Sequence, residues 1–465
     1  VDTIYEFRVV GGEPFINKQI GKVINRLLEY KTIKEIAEDI RENPKPVILE
    51  AMTFRMRGHE EASGTKYVPK ELMASWAKKD PVENYEQYLL KQGVLTEESI
   101  GEIRATIKKD IEEGLELAYA EALPPANLET EMTDLFFPFE QTVQLPATPV
   151  KSERRLVDAI SDSLRQSMEK YDNLVIMGQD IADYGGVFKI TEGFVDLFGK
   201  ARVRNTPLCE SAIIGTALGL CINDYKAVVE MQFGDFVTCG FNQIVNNLAK
   251  IHYRWGQNAD VVVRMPTGAG VGAGPFHSQS NEAWFFHTPG LRVVYPSNAE
   301  DAKGLLNAAI EDPNPYLFFE HKALYRSHSQ EIPTDYYTTP VGKAAMASTG
   351  NDLTIITYGM GVHWALDAMK TFDGVSADIV DLRTLLPWDK EAVEASVKKT
   401  NKVLVLHEDT MIGGIGAEIA AWISEHCFEH LDAPVKRAAS LDTPVPFSQP
   451  LEANFLPQKR LLDTL

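Results

Sequence analysis

The second half of the chain alternates short apolar runs with longer segments of helical periodicity. Uninterrupted apolar runs are typical of strands that are covered on both faces of a sheet. We predict such strands at 174–177, 227–231, 261–263 and 316–319, and again at 353–358, 377–382 and 403–407. Because helical segments separate these runs, the pattern predicts an α/β fold with a doubly wound parallel sheet, followed by a second, smaller α/β domain.

The first part of the chain is predicted to be mainly helical. A helix is predicted from Ile33 to a stop at Asn43-Pro44, and a strand follows at 46–50. A further helix is predicted at 81–93, where a glycine ends it.

The longest predicted helix begins after Thr96, a residue that can cap it, and carries acidic residues in its first turn. Its apolar residues recur at helical spacing and predict a buried face: Ile100, Ile103, Ile107, Ile111, Leu115 and Ala118. Residues 123–150 are rich in proline and predict an extended connector whose Phe136 and Phe137 contact a neighbouring surface.

Composition and charge exclude some classes of function. The formal net charge of −20 over 465 residues would repel nucleic-acid phosphates. The apolar runs fall short of the roughly 18 residues of a membrane-spanning helix. The four cysteines form no CxxC pair and predict a reducing, cytoplasmic compartment rather than a disulfide framework: Cys209, Cys221, Cys239 and Cys427.

Three polar clusters follow or close apolar runs, at 206–211, 230–236 and 274–280. Since open α/β sheets place their ligands at strand ends, we expect a carboxylate, an aromatic pair and a histidine to converge there. A carboxylate in an apolar pocket can exchange a proton with a ring nitrogen, aromatic faces can hold a flat heterocycle, and histidine moves protons near neutrality. Together they indicate a cofactor-assisted carbanion site.

Each of these residues also has a purely structural interpretation. Glu210 could be a solvated residue at the start of a helix. Phe233 and Phe236 could belong to the core, and His277 could be a structural histidine. The residue pattern alone leaves both interpretations open.

Longer motifs narrow the choice, because they occur in a recognisable order: Met177-Gly178-Gln179-Asp180, Tyr184 to Phe188, Thr191-Glu192-Gly193, Asn205-Thr206-Pro207, Phe276 to Ser280, Tyr295-Pro296-Ser297, Glu320 to Arg326, His407-Glu408 and Asp442-Thr443-Pro444. On these motifs the chain from about Ser152 to Leu465 resembles the β subunit of thiamine-diphosphate-dependent 2-oxo acid dehydrogenases. Residues 32–93, with Arg57-Gly58-His59, resemble the end of the α subunit. The chain thus resembles an α-β fusion, most similar to branched-chain 2-oxo acid dehydrogenases or the related pyruvate enzymes.

The resemblance implies a thiamine-diphosphate-binding fold and a transketolase C-terminal-like α/β domain. The expected boundaries are an α-type part at 1–122, a linker at 123–151, a pyrimidine-binding domain at 152–330, a linker at 330–340 and the transketolase-like domain at 341–465. The last domain would mainly build a homodimer of fused chains and dock the lipoyl acyltransferase core.

The resemblance also implies roles for individual residues. Glu210 would hydrogen-bond N1′ of the aminopyrimidine, with Gln232 and Phe236 lining the same pocket. His277 and His59 would manage protons at the substrate carbonyl and during acyl transfer to a lipoyl group. Arg55 would lie at the mouth of the site, and the thiazolium would act as the electron sink when a 2-oxo acid loses carbon dioxide.

Two metal sites are implied in the same way. Thiamine diphosphate would bind with Mg²⁺, and Asp312 and Asn314 match the place where relatives bind a monovalent cation such as K⁺. A plain proline turn at Asp312-Pro313-Asn314 is the alternative interpretation.

One departure from the family keeps other functions open. The Gly-Asp-Gly segment that binds the diphosphate and magnesium is not found, and we expect that it belongs to sequence preceding Thr32. The favoured function is oxidative decarboxylation of a 2-oxo acid, with a branched-chain substrate preferred over pyruvate. Transketolase-like ketol transfer and a non-catalytic assembly subunit are the alternatives.

Overall fold

The computed structural model describes residues 7–8, 33–45, 47, 50–51, 54–58, 62 and 64–465. The chain divides into two units, residues 1–125 and residues 126–465. The larger unit contains both predicted α/β domains.

The described part of the first unit is mainly helical. Its helices are Ile33–Glu42, Lys70–Ala77, Pro81–Lys91 and Glu97–Ala120, and the short strands β1 (Phe7–Arg8) and β2 (Glu50–Ala51) pair antiparallel. The predicted helices are confirmed, and Thr96 caps its helix by accepting a hydrogen bond of 3.1 Å at Oγ1 from the Ser99 N–H. Residues 46, 48 and 49 of the predicted strand lie outside the described residues.

The predicted buried face of helix Glu97–Ala120 is wrong beyond its first turn. Ile100 is buried, but the exposed fractions of the next four apolar positions lie between 47% and 57%: Ile103, Ile107, Ile111 and Leu115. Helical periodicity shows which face is apolar, whereas burial also needs a partner surface. Within the described part of this unit, that surface covers only the start of the helix.

The second unit is organised around a seven-stranded sheet in the order β14-β8-β9-β7-β6-β4-β5, whose first strand, β14, is Thr384–Leu386. Its parallel strands are β4 (Leu174–Gly178), β5 (Val203–Asn205), β6 (Lys226–Glu230), β7 (Val261–Thr267), β8 (Arg292–Val294) and β9 (Tyr316–His321). The predicted strands of this domain are confirmed. The innermost are buried along their whole length, because helices cover both faces.

Alternate residues of these strands face two separate cores. Helices Leu156–Lys170 and Ala299–Glu311 pack on one face, and helix Glu210–Ile222 packs on the other. The remaining helical segments are Phe194–Phe198, Gly234–Gly240, Gln243–Leu248, Ile251–Trp255, Ala283–Phe286 and Leu324–Ser327. The doubly wound prediction is therefore confirmed.

A second sheet forms the last domain, in the order β11-β13-β12-β15-β16. Its strands are β11 (Ala345–Ser348), β12 (Leu353–Thr357), β13 (Ala377–Asp381), β15 (Val403–Thr410) and β16 (Lys436–Ser440). Its helices are Met360–Met369, Lys390–Thr400, Gly416–His426, Gln449–Phe455 and Gln458–Thr464, with a short helical turn at Phe428–His430. Strand β14 (Thr384–Leu386) leaves this domain and pairs with β8, so the two domains share a sheet edge.

The two predicted linkers are more ordered than expected. Strand β10 (Ser329–Pro333) opens the second linker and pairs antiparallel with β3 (Lys151–Arg155), because five consecutive residues find backbone partners there. Residues 123–150 contain a short helix, Leu128–Thr133, which Asn127 caps by accepting a hydrogen bond from the Thr130 N–H.

The phenylalanines of the connector do contact the neighbouring domain. The N–H of Phe137 donates to Oδ1 of Asn314 over 2.8 Å. The guanidinium of Arg292 lies 4.6 Å from the ring centre of Phe136. This contact is as predicted.

Candidate active site

A cavity of about 600 Å³ opens beside the carboxyl ends of β4, β6 and β7. Most of its lining surface is apolar, although several polar side chains reach it. The lining residues are Leu208, Phe236, Pro275, Phe276 and Trp284, together with the polar Gln179, Glu210, Gln232, Asp235, Thr238, Cys239 and Gln279. An apolar cavity with a few converging polar side chains is typical of a small-molecule site.

Glu210 is the first residue of helix Glu210–Ile222 and is only 6% exposed. Its Oε1 accepts a hydrogen bond of 3.0 Å from Nε2 of Gln179, which follows β4. A carboxylate at this position also benefits from the partial positive charge of a helix N-terminus. The side chain is thus fixed in direction while it lines the cavity.

An aromatic cluster forms the wall next to Glu210. The ring of His277 lies 4.7 Å from that of Phe233 and 5.4 Å from that of Phe236, both in edge-to-face geometry. Phe233 and Phe236 also meet edge to face at 5.6 Å. The rings hold one another in place, so that Phe236 presents a fixed surface to the cavity.

Two polar residues of the lining, Gln232 and Asp235, form hydrogen bonds with neighbouring residues. Gln232 donates from Nε2 to Oδ2 of Asp180 over 3.3 Å. Asp235 accepts at Oδ1 from the N–H of Gln279 over 3.3 Å, and its Oδ2 has no partner within the described residues. Burial raises the pKa of Asp235, although the Gln279 N–H and the nearby Lys322 oppose that change.

Lys322 is a buried cation beside this wall. Its Nζ donates to the carbonyl of Gly268 over 2.7 Å and lies 5.8 Å from the ring centre of Phe233. Burial lowers the pKa of Lys322 to about 8, while Glu408, Asp235 and Glu452 act in the opposite direction.

The structure brings together four of the predicted residues, Glu210, Gln232, Phe236 and His277, at one end of the sheet. Arg55 belongs to the first unit and is exposed there. His59 lies outside the described residues, so its predicted role stays a prediction.

The predicted cation ligands have protein partners instead. Oδ2 of Asp312 accepts from the Tyr316 hydroxyl over 2.7 Å and lies 3.0 Å from Nε of Arg292. Oδ1 of Asp312 accepts from Nδ2 of Asn314 over 2.6 Å, and Asn314 also bonds to the Phe137 backbone. Both side chains therefore already have protein partners, and the monovalent cation stays a prediction from the resemblance alone.

The cavity does fit the pyrimidine end of thiamine diphosphate. A buried carboxylate at Glu210, a flat wall at Phe236 and an amide at Gln232 are the groups that a polar aromatic ring requires. For the diphosphate and Mg²⁺, the described residues offer no group of three or more acidic, histidine or cysteine side chains placed to hold a metal.

Sequence reasoning assigned no role to three polar residues at or beside the site, Gln179, Asp235 and Lys322. Gln179 and Lys322 both stand in motifs that carried the resemblance, so their positions could have been singled out. Asp235 follows a glycine after the predicted strand, yet its contact with Gln279 depends on how the 274–280 loop folds back. That return could not be predicted from local pattern.

Comparison with known families agrees with this architecture. Residues 153–328 match the transketolase pyrimidine binding domain, residues 342–461 match the transketolase C-terminal domain, and residues 27–127 match the dehydrogenase E1 component. Together the three matches define a thiamine-diphosphate-dependent component that combines α-type and β-type segments.

Similar proteins narrow the class further. The chain is 47% identical to the 2-oxoisovalerate dehydrogenase subunit beta of Bacillus subtilis, over 64% of this chain and 93% of that protein. It is 43% identical to the mitochondrial 2-oxoisovalerate dehydrogenase subunit beta 2 of Arabidopsis thaliana, over 67% and 87%. It is 42% identical to the pyruvate dehydrogenase E1 component subunit beta of Bacillus subtilis, over 67% and 98%. The chain therefore belongs to the family of 2-oxo acid dehydrogenase components.

A solved structure shares the fold. It is described as a split gene transketolase, inactive beta4 tetramer, with a TM-score of 0.53 and 21% identity, over 67% of this chain and 96% of that one. At this identity the likeness concerns the fold alone.

None of the helices in the described residues has the length and apolar character needed to span a membrane.

Proposed function

We propose that this chain catalyses the thiamine-diphosphate-dependent oxidative decarboxylation of a branched-chain 2-oxo acid and passes the acyl group to a lipoyl group. The observation that carries the proposal is Glu210, buried at a helix N-terminus and oriented by Gln179 into an apolar cavity. A carboxylate placed in this way can hold and return a proton at a ring nitrogen.

The chain's own residues have separate tasks in this reaction. Glu210 and Gln232 would bind the polar edge of the aminopyrimidine, and the wall at Phe236 would orient its face. His277, packed against the rings of Phe233 and Phe236, would hold or release a proton at the substrate carbonyl oxygen. The bound cofactor would supply the electron sink for the loss of carbon dioxide.

The apolar lining of the cavity supports an apolar substrate side chain. Leu208, Phe276 and Trp284 line it, and their side chains are exposed in this chain. The names of similar proteins support 2-oxoisovalerate first and pyruvate second. The loss of a charged carboxylate is also easier from an apolar site than from water.

The remaining parts of the proposal rest on the resemblance. We propose Mg²⁺ with the diphosphate, K⁺ as a structural ion, roles for Arg55 and His59, a homodimer, and docking to a lipoyl acyltransferase core. The domain boundaries 1–122, 123–151, 152–330 and 341–465 belong to the same proposal. The four cysteines are free thiols, which supports a cytoplasmic location.

The direct test is carbon dioxide release by the purified full chain. With thiamine diphosphate, Mg²⁺ and an artificial electron acceptor, carboxyl-labelled 2-oxoisovalerate and pyruvate are compared, and a lipoyl domain is then assayed for acylation. We expect kcat/KM for the branched-chain acid to exceed that for pyruvate at least roughly tenfold, as expected when extra apolar carbons fill an apolar pocket.

Other outcomes would change the conclusion in defined ways. A preference for pyruvate would keep the reaction and change the substrate. Turnover of sugar phosphates without acylation of the lipoyl domain would favour ketol transfer. Failure to bind thiamine diphosphate with Mg²⁺ would favour an assembly subunit.

A further inference from the structure

A glycine-rich loop connects β7 to the cavity wall. In the sequence Gly268-Ala269-Gly270-Val271-Gly272-Ala273-Gly274, all four glycines have positive φ angles, from 70° to 92°. Residues with side chains rarely adopt this conformation. The loop leads directly to Pro275 and Phe276, which line the cavity, and then to His277.

Two carboxylates from the last domain bind the backbone of this loop. Glu452 accepts from the N–H of Gly270 over 2.8 Å, and its two oxygens lie 3.2 and 3.1 Å from the N–H of Gly272. Glu408 accepts from the N–H of Ala269 over 2.6 Å. Grouped backbone N–H donors form an anion-binding concavity, and here the protein's own carboxylates fill it.

Both carboxylates are buried and specifically partnered. Glu408 also accepts from the Ser280 hydroxyl over 3.3 Å and pairs with Nε2 of His321 over 2.5 Å. Although burial alone would raise it, the pKa of Glu408 is held below its usual value by His321 and the Ala269 N–H. Glu408 therefore stays ionised as an acceptor for the loop.

Two further contacts complete the attachment of the loop. Nζ of Lys322 holds the carbonyl of Gly268. The ring of Phe447, also from the last domain, packs so closely against Gly274 that a Cβ at this position would clash with it. A side chain at Gly274 would therefore displace either the Phe447 ring or the loop.

The other end of the segment is fixed by the first α/β domain. The hydroxyl of Thr267 donates to the carbonyl of Gln279 over 2.5 Å, and Nδ2 of Asn281 donates to the carbonyl of Gly234 over 3.0 Å. His277 thus lies between an anchor within its own domain and an anchor supplied by the last domain.

We propose that Glu452 and Glu408 are positioning residues, which hold the 268–274 loop by its N–H groups and so set the place of His277 against Phe236, a residue of the cavity wall. The last domain would then take part in building the active site. The inference rests on the proposed function, because His277 has its chemical role only there.

The test compares three full-length proteins, the natural chain, Glu452→Ala and Asp389→Ala. Asp389 is a matched control, since it is a buried carboxylate of the same domain that accepts from two backbone N–H groups, those of Ala344 and Ala392. In Glu452→Ala we expect amide hydrogen exchange in the 268–280 segment to accelerate at least roughly tenfold, as released N–H groups do. Asp389→Ala should leave this segment unchanged.

A second readout follows His277 without turnover. The neighbouring phenylalanine rings shift the magnetic resonance signal of its Cε1–H, which is assigned with His277→Gln. In Glu452→Ala this signal should move toward that of a solvated histidine, and kcat should fall about tenfold or more, as expected for a displaced catalytic group. Glu452→Gln retains an acceptor oxygen and should recover part of each change.

The outcomes separate the two proposals. Unchanged exchange and an unchanged His277 signal in Glu452→Ala would overturn the positioning role, whatever the activity. An altered loop and an altered His277 signal with full kcat would support the positioning role and contradict the chemical role of His277. If the natural chain shows no decarboxylation, the proposed function fails, while exchange and resonance still show whether Glu452 positions the loop.

Discussion

Nε2 of Gln179 donates a hydrogen bond of 3.0 Å to Oε1 of Glu210, across 31 positions of sequence. Gln179 follows β4, and Glu210 begins the helix after β5. Because β4 and β5 are neighbouring parallel strands, their carboxyl ends bring these side chains together. The pair orients the acidic group on which the proposed chemistry depends.

Removing the acid from Glu210 should stop the reaction without unfolding the chain. Glu210→Gln keeps the size of the side chain but cannot take up a proton, so we expect kcat to fall by about 100-fold or more. Glu210→Ala should abolish turnover. Carbon dioxide release measures the effect, and circular dichroism checks the fold, with exposed Glu418→Gln as the control. Normal activity in Glu210→Ala would rule out this role.

The partner of Glu210 should matter less than Glu210 itself. Gln179→Met removes a hydrogen bond to a carboxylate that is worth about 1.5–3 kcal/mol, so we expect roughly 10- to 100-fold lower kcat/KM. The measurement is a comparison of kcat/KM for the variant and the natural chain under saturating cofactor. Equal values would mean that the cavity orients Glu210 by other contacts.

A charge at position 179 gives a different, pH-dependent prediction. Gln179→Glu would place two carboxylates in hydrogen-bond contact, and such pairs share one proton over a wide pH range. The acidic limb of the pH profile of kcat/KM should therefore move to higher pH than in the natural chain. A profile that keeps its shape, merely scaled down, would contradict this coupling.

The sequence predicted the strands and the residues at their ends for a simple reason. Apolar runs such as 227–231 mark strands buried on both faces, and polar residues that follow them, such as Gln232, must lie at one edge of the sheet. The order of the strands was not in the pattern. The contact of Glu210 with Gln179 could therefore not be predicted from sequence alone.

Long-range contacts explain what else sequence reasoning missed. Glu452 binds the N–H of Gly272 from 180 positions away, and its local surroundings contain no sign of that contact. The apolar stripe through Ile103 and Ile107 led to a false prediction of burial. Both side chains are exposed, because no described part of their unit packs against them. Periodicity describes one element, whereas packing is a property of two.

The buried ion pairs of Arg264 should be costly to break. Arg264 lies between Glu230, at 2.7 Å, and Glu320, which it binds through two hydrogen bonds of 2.7 and 2.8 Å. Arg264→Met would leave two carboxylates unpaired inside the sheet, and we expect the free energy of unfolding to fall by about 3–5 kcal/mol.

Denaturant unfolding measures this loss. The exposed pair of Lys398 and Glu394 provides the control, because water competes for both groups, and Lys398→Met should change the unfolding midpoint very little. A small effect of Arg264→Met would mean that the two carboxylates become protonated at little cost.

Asp381 ends β13 at the boundary of the two α/β domains and is almost fully buried. Burial and the nearby Asp301 raise its pKa to about 7. Two groups oppose this rise: the Ser297 hydroxyl, which donates to Oδ2 over 2.5 Å, and Arg383. Arg383 itself pairs with Asp301 over 2.8 Å.

The raised pKa of Asp381 predicts how stability depends on pH. Its ordinary value is 3.8, so between about pH 4 and pH 7 the folded chain holds a proton that the unfolded chain has released. This contribution is complete below the lower pKa and is lost as pH rises, by at most about 1.4 kcal/mol per pH unit. Asp381→Asn removes it, so denaturant unfolding should show the variant gaining stability relative to the natural chain from pH 5 to pH 8.

Asp352, whose pKa is lowered by the Ser376 hydroxyl, is the control, because Asp352→Asn should leave the slope in this range unchanged. If the curves of Asp381→Asn and the natural chain run parallel, Asp381 is ionised throughout.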